Sequence, residues 1–179
     1  MINLIPATMG EFDSVVAFYD EVMERTPNIY EYALWQKGKH PTAKGLKAYI
    51  EEGSLYLYKE DGVIVGAMAF PMYQGEDYHP VQWALPLKDD EVAVIHIFAV
   101  HPDWQGKGIG AQMVKAAIEL AKNKGRNTVR LDTLASNLPA QHLYKSLGFQ
   151  FRGQQYLYAE NTHWTDFYYF EYNDRTTRI

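Results

Sequence analysis

Gln105-Gly106-Lys107-Gly108-Ile109-Gly110 is the stretch on which the reading of this chain turns. An apolar run, Val92 to Val100, precedes it. Ile109, Met113, Ala116, Ala117, Leu120 and Ala121 follow at the spacing of one helical face. A strand, a glycine loop and a helix start therefore stand in succession. Glycines at alternate positions let the backbone turn tightly and come close to a ligand. The helix start aims unpaired N–H groups and a positive dipole end at the same point. Together they make a site for phosphate, and so for a phosphorylated cofactor or substrate. Two other phosphate loops fit poorly. A Walker loop ends in Gly-Lys-Ser/Thr, whereas Gly110 is followed by Ala111-Gln112. A dinucleotide loop needs Gly-x-Gly-x-x-Gly, and the spacing here is Gly-x-Gly-x-Gly.

Upstream of the loop, residues 2 to 5 read as a short strand. Thr8 is a plausible N-cap with Glu11 as its capping-box partner, and Phe12, Val15, Val16, Tyr19 and Met23 recur at helical spacing. Residues 28 to 41 read as irregular chain or a short helix. A helix is expected over Leu46 to Glu52, ended by Gly53. Ser54 to Lys59 and Val63 to Phe70 read as strands joined at the hairpin signal Asp61-Gly62. Pro71 to Asp90 is long, and a loop of that size is usually functional or covers something. Downstream, Lys122, Lys124 and Gly125 suit a helix end. A strand is expected over Thr128 to Leu134, then a helix from about Pro139 to Gly148. Phe149 to Tyr158 and Phe167 to Tyr172 read as aromatic strands of one hairpin, and the tail from Asp174 to Ile179 is expected to fray.

The chain has 179 residues, which suits a single domain over 1–179, and a hydrophobic fraction of 47% argues against disorder. The aromatic fraction of 15% fits packed aromatic strands and leaves room for an aromatic-lined pocket. Net charge is −5 without a basic stripe, so no nucleic-acid partner is expected; a cationic substrate is compatible. The absence of cysteine excludes disulfides, thiolate metal sites and a Cys nucleophile. His40, His79, His101, His142 and His163 show no metal-ligand spacing with acids, so no metal is expected. Met1 to Pro6 does not read as a signal peptide, and no apolar run approaches the ~20 residues that span a bilayer. The expectation is a soluble cytoplasmic protein without a membrane partner.

A second segment gives the glycine loop its context: Asn137-Leu138-Pro139-Ala140-Gln141-His142-Leu143-Tyr144-Lys145-Ser146-Leu147-Gly148-Phe149. The loop matches the pattern Gln/Arg-x-x-Gly-x-Gly/Ala, and this segment matches Asn-x-x-Ala-x-x-Leu-Tyr-x-x-x-Gly-Phe. In order and spacing the pair resembles the GNAT superfamily of acyl-CoA-dependent N-acyltransferases, over about residues 1 to 172. The resemblance implies an α/β (α+β) fold with a mixed, mostly antiparallel sheet flanked by helices, its central strands splayed to admit acyl-CoA. It implies acetyl transfer from acetyl-CoA to a primary amine on a small molecule or protein, and a possible homodimer.

Carried over position by position, the resemblance implies that the backbone of Phe98, Ala99 and Val100 pairs with the pantetheine arm. The N–H groups of Gln105, Gly106, Lys107, Gly108, Ile109 and Gly110 would cradle the pyrophosphate. Asn137 would hydrogen-bond the cofactor's amide arm, and Tyr144 would protonate the departing thiolate. A phenol of ordinary pKa, ~10, keeps its proton at neutral pH, which suits that role. Where many family members have a Glu, this chain has His96, whose neutral imidazole is a candidate base, direct or through water. A core histidine is the alternative, and Glu91 the fallback. Asp132 is a candidate for a cationic substrate, or a structural hydrogen-bond acceptor. Tyr32, Trp35, Tyr73 and Trp83 lie in segments that would border the acceptor pocket, where aromatic walls suit an amine with an apolar part; ordinary loop packing is the alternative. A catalytically silent acyl-CoA-binding sensor or interaction domain of the same fold is the competing reading of the whole chain.

Overall fold

The computed structural model describes residues 1–174. Among them seven strands form one sheet: β1 (Ile5–Pro6), β2 (Leu55–Glu60), β3 (Val63–Ala69), β4 (Ala93–Val100), β5 (Thr128–Leu134), β6 (Gln150–Ala159) and β7 (His163–Asn173). The helices are α1 (Phe12–Arg25), α2 (Ile29–Ala33), α3 (Ala43–Glu52), α4 (Ile109–Asn123) and α5 (Leu138–Ser146). The strand order is β1-β2-β3-β4-β5-β7-β6, antiparallel throughout except for the pair β4–β5. This is the mixed, mostly antiparallel sheet that the sequence predicts. Among the described residues no helix is long and apolar enough to cross a membrane.

Local chemistry sets most boundaries. Asp61 and Gly62 both take positive φ (49° and 79°), the turn that matches the twist of a two-residue hairpin between β2 and β3. The Thr42 hydroxyl accepts the Gly45 N–H at 3.0 Å to cap α3. Two expectations need correction. Only Ile5 and Pro6 pair with β2, because Ile2 and Leu4 are drawn into the core instead. Asp174 is tied down, its N–H donating to the Asn127 carbonyl at 2.8 Å; the rest of the tail expected to fray lies outside the described residues.

The two faces of the sheet are covered differently. On one face α4 brings Met113, Val114 and Ala117, and α5 brings Tyr144, into one core with Val65, Met68 and Ile95. On the other, α1 and α3 cover only the first half, packing Phe18, Tyr19, Leu46 and Ile50 on Leu55 and Leu57. The second half is covered by the long segment between β3 and β4, whose Tyr78 and Val81 pack on Val92, Val94 and Tyr169. This cover loop is pinned by Arg130, a fully buried side chain of β5. Its guanidinium donates to Glu171 of β7 at 2.9 Å, to Gln74 of the loop at 2.7 Å and to the Leu85 carbonyl at 3.0 Å. It also lies 4.2 Å from the centre of the Trp83 ring.

The parallel pair is short. Ala93–Ile95 stand opposite Val129–Leu131, and beyond that β4 and β5 part. The gap between them is the opening in the fold around which the site is built.

Candidate active site

A bulge in β4 shapes one wall of the opening. Ala67 pairs with Ala99 but Ala69 pairs with His96, so β4 holds one residue more than β3 across that interval. Ile97 takes φ 43°, a left-handed conformation that is a genuine outlier for a β-branched residue. Tyr19 of α1 holds it there: its fully buried hydroxyl donates to the Ile97 carbonyl at 2.7 Å. Burial pushes the Tyr19 pKa far up, so the hydroxyl stays a donor. Because of the extra residue, His96 and Ile97 lie on the same face of the sheet, toward α3 and the cover loop, while Phe98 and Val100 turn to the α4 face.

Past the bulge, β4 has no strand partner on its β5 side. His101 donates to Val65 of β3 at 2.8 Å. Ladder alternation then turns the Ala99 backbone to β3 as well and leaves Val100 facing the opening. The Val100 carbonyl accepts the Gln105 side-chain amide at 3.0 Å, and that amide also donates to Thr26 at 2.9 Å. Gln105 thereby ties the end of α1 to the end of β4 and sets where the glycine loop begins.

The glycine loop then enters α4 with its first N–H groups unclaimed. No side chain caps this helix, whereas Thr42 and Asn137 cap α3 and α5. Gly106 and Gly108 take φ 75° and 79°, and this left-handed geometry turns the chain into the helix start. The Gln105 N–H is already engaged with the Pro102 carbonyl at 3.4 Å, so the open donors begin at Gly106. Lys107, 5.3 Å from the centre of the Trp104 ring, adds a positive charge beside them. A helix start with open N–H groups is the kind of backbone geometry that suits an anion.

The opposite wall is α5. The Asn137 side-chain oxygen accepts the Ala140 N–H at 3.2 Å, leaving its amide nitrogen to donate elsewhere. Gly148, at φ 91°, ends the helix and turns the chain back, so that the Phe149 ring packs 5.4 Å from that of Tyr144. Tyr144 is only 6% exposed and lines the opening. Its hydroxyl makes no hydrogen bond among the described residues. Burial, then the charge of Asp132, raises its pKa well above the ordinary phenol value.

The opening has two connected lobes. One, of about 290 Å³, runs between β4 and α5 and is lined by Phe98, Ala99, Val100, Gln105, Asn137 and Tyr144. The other, of about 300 Å³, lies on the side of the cover loop and is lined by His40, Tyr49, Asp77, His96, Asp132 and Phe167 among others. His96 and Asp132 line both lobes. Ile95 stands opposite Leu131, so these two are the next residues along the diverging strands. The His96 ring stacks on Tyr49 at 6.3 Å and meets the edge of Tyr78 at 6.4 Å, and neither nitrogen is hydrogen-bonded among the described residues. The Tyr78 hydroxyl donates to Asp132.

Trp35 lines the first lobe, but its companions do not. Trp83 is corrected to a structural residue: it stacks on Tyr78 and Arg130, and its indole donates to the Tyr78 carbonyl at 2.8 Å. Tyr32 contributes its carbonyl, which accepts the Ser136 hydroxyl at 2.9 Å; Ile29 and Ala33 of the same segment form the wall. Tyr73 points to Glu52 on the surface. Glu91 is no candidate base, since it closes a turn by accepting the Lys88 N–H at 2.6 Å, away from both lobes. Sequence reasoning missed His40 and Asp77. Burial lowers the His40 pKa against the opposing pull of Asp132, so this imidazole is neutral at pH 7. Among the described residues no group of three His, Asp or Glu is placed to hold a metal ion.

Comparison with known proteins gives three results. The model of the acetyltransferase (GNAT) family matches residues 15–149. Among curated proteins, the N-acetyltransferase MJ1207 of Methanocaldococcus jannaschii, itself uncharacterized, is 43% identical over 68 residues, which is 38% of this chain and 30% of that protein. The L-amino acid N-acyltransferase MnaT of Escherichia coli is 28% identical over 128 residues, 68% of this chain and 66% of that protein. The matches thus span less than two thirds of these relatives. Among solved structures, yncA of Salmonella typhimurium with its cofactor acetyl-CoA superposes with a TM-score of 0.68 at 18% identity, covering 100% of this chain and 98% of that one.

Proposed function

This chain belongs to the GNAT acetyltransferase family, and from that premise we propose that it transfers acetyl from acetyl-CoA to a primary amine by direct attack. The observation that carries this reading is the Tyr144 hydroxyl, buried and without a partner, facing the gap between β4 and α5. The residues around that gap suit acyl-CoA. The uncapped start of α4 offers N–H groups to the pyrophosphate, and the unpaired side of β4, with the Asn137 amide, offers partners to the pantetheine arm.

The reacting amine must be neutral to attack. Its nitrogen lone pair forms the new bond to the thioester carbonyl carbon, the C–S bond breaks, and the electron pair leaves on sulfur. The amine proton passes to His96, directly or through water. Tyr144, which lines the gap, would stand near the sulfur. A phenol whose pKa is raised by burial is a weaker acid than a free thiol of pKa ~8.5. Tyr144 therefore acts chiefly as a hydrogen-bond donor to the sulfur as charge develops, in a dry site where such a bond is strong.

Thiol release from acetyl-CoA against a panel of amines tests this. Release should depend on the amine, and Tyr144→Phe should lower kcat by about 10²-fold with little change in CoA affinity. Unchanged kcat would remove Tyr144 from the mechanism. Tight acetyl-CoA binding with no amine-dependent release would favour the silent sensor instead.

A further inference from the structure

The second lobe, which Asp77 of the cover loop and His96 both line, is one-sided in charge. Asp77 and Asp132 line it, and among the described residues no Lys or Arg lines either lobe. The other titratable groups facing it are His40, His96 and Tyr49. No ion pair to Asp77 or Asp132 forms among the described residues, and Asp132 accepts one neutral hydrogen bond, from Tyr78. The two carboxylates sense one another: burial, then the charge of Asp132, raises the pKa of Asp77. Phe167 and Tyr49 line the same space, and aromatic rings there suit a cation. The buried, unpartnered Tyr144 hydroxyl in the adjoining lobe independently marks the gap as built for a ligand.

We propose that the acceptor is a small diamine without a carboxylate. One amino group, neutral, lies beside His96 and takes the acetyl group. The other, an ammonium, sits between Asp77 and Asp132. An acceptor with a carboxylate would bring a third negative charge into a space that no Lys or Arg of the described residues lines. This rests on the transferase reading above and adds the chemical class of the substrate. The transfer is as already written: one C–N bond forms, one C–S bond breaks, and the monoacetylated product keeps a single positive charge.

The test compares three acceptors of one length: 1,4-diaminobutane, 1-aminobutane and 4-aminobutanoate. The three- to six-carbon homologues of each guard against a mismatch in span. The expected result is kcat/KM for the best diamine at least ~30-fold above the matching monoamine and further above the amino acid. In Asp77→Asn, an exposed substitution, the diamine-to-monoamine ratio should fall by about tenfold, the effect of losing one charge contact in a partly buried pair. Calorimetric binding of 1,4-diaminobutane to the protein loaded with CoA, and its weakening in Asp77→Asn and Asp132→Asn, reads the same site without turnover. Equal use of all three acceptors would overturn the diamine proposal and leave the transferase reading standing. Diamine binding that needs both carboxylates, without thiol release from any amine, would sink the transferase reading and keep the acidic site. The absence of both diamine binding and charge preference would overturn the inference outright.

Discussion

His96 shows what a single residue owes to its surroundings. The bulge at Ile97 turns it toward the cover loop, Tyr49 and Tyr78 hold its ring, and its nitrogens are left unclaimed. If it takes the amine proton, His96→Ala should lower kcat/KM by about 10²-fold at neutral pH. Activity should recover toward pH ~10, where an alkylamine loses its proton unaided. A pH–rate profile parallel to wild type would make His96 a packing residue. The motif residues around it were legible because each motif is contiguous: Gln105 to Gly110 and Asn137 to Phe149 carry their geometry in local order. His40 and Asp77 were not legible. They come from irregular segments far from His96 in sequence, and no periodicity or spacing says that residues 40, 77, 96 and 132 converge. Trp83 was misread for a related reason. An aromatic in a long loop suggests a pocket wall, but this one lies on Arg130, and a fully buried arginine is not something a strand pattern announces.

At the level of elements, the start of α4 joins fold to chemistry. Gly108 is its N-cap at φ 79°, and a Cβ added there would meet nothing within 4 Å. The objection to a side chain is therefore conformational, roughly 1–2 kcal/mol for a left-handed non-glycine residue. Gly108→Ala should raise KM for acetyl-CoA by about tenfold while changing kcat little, as the first N–H groups lose their aim. Gly110→Ala should have a smaller effect, because its Cβ would make ordinary contacts of 3.7 Å with Leu143 and 3.8 Å with Phe98. Steady-state kinetics with varied acetyl-CoA separates the two; equal effects would mean that space, not backbone geometry, selects glycine. Nearly every element was legible, since helical periodicity, the Asp61-Gly62 turn and the apolar β4 run are local signals. The bulge was not. It depends on Tyr19, 78 residues away from the carbonyl it holds, and no feature of Ile95-His96-Ile97 shows it.

Across the molecule, the sheet is held by helices on one face and by helix and loop on the other. The loop's hold is a buried charge network. Glu171 accepts from Arg130 at 2.9 Å, from the Ala84 N–H at 3.1 Å and from Asn173 at 2.9 Å, with Arg152 at 3.3 Å. Glu171→Ala would leave Arg130 buried without its carboxylate, and should destabilise the fold by about 3–5 kcal/mol in a urea titration. A loss under about 1 kcal/mol would mean that water reaches Arg130 and the network is not sealed. The arrangement divides labour between two halves of the chain. The parts that suit the cofactor are backbone geometries of β4 and α4. The lobe proposed for the acceptor takes Asp77 from a loop fastened to the sheet through a handful of polar contacts, and Tyr78 of that loop holds Asp132. Such a loop is an exchangeable cartridge. Asp77 can be replaced while the pins at Gln74 and Leu85 keep the loop seated, so on the proposed reading a change of acceptor preference needs one segment to change and leaves β4, α4 and α5 as they stand.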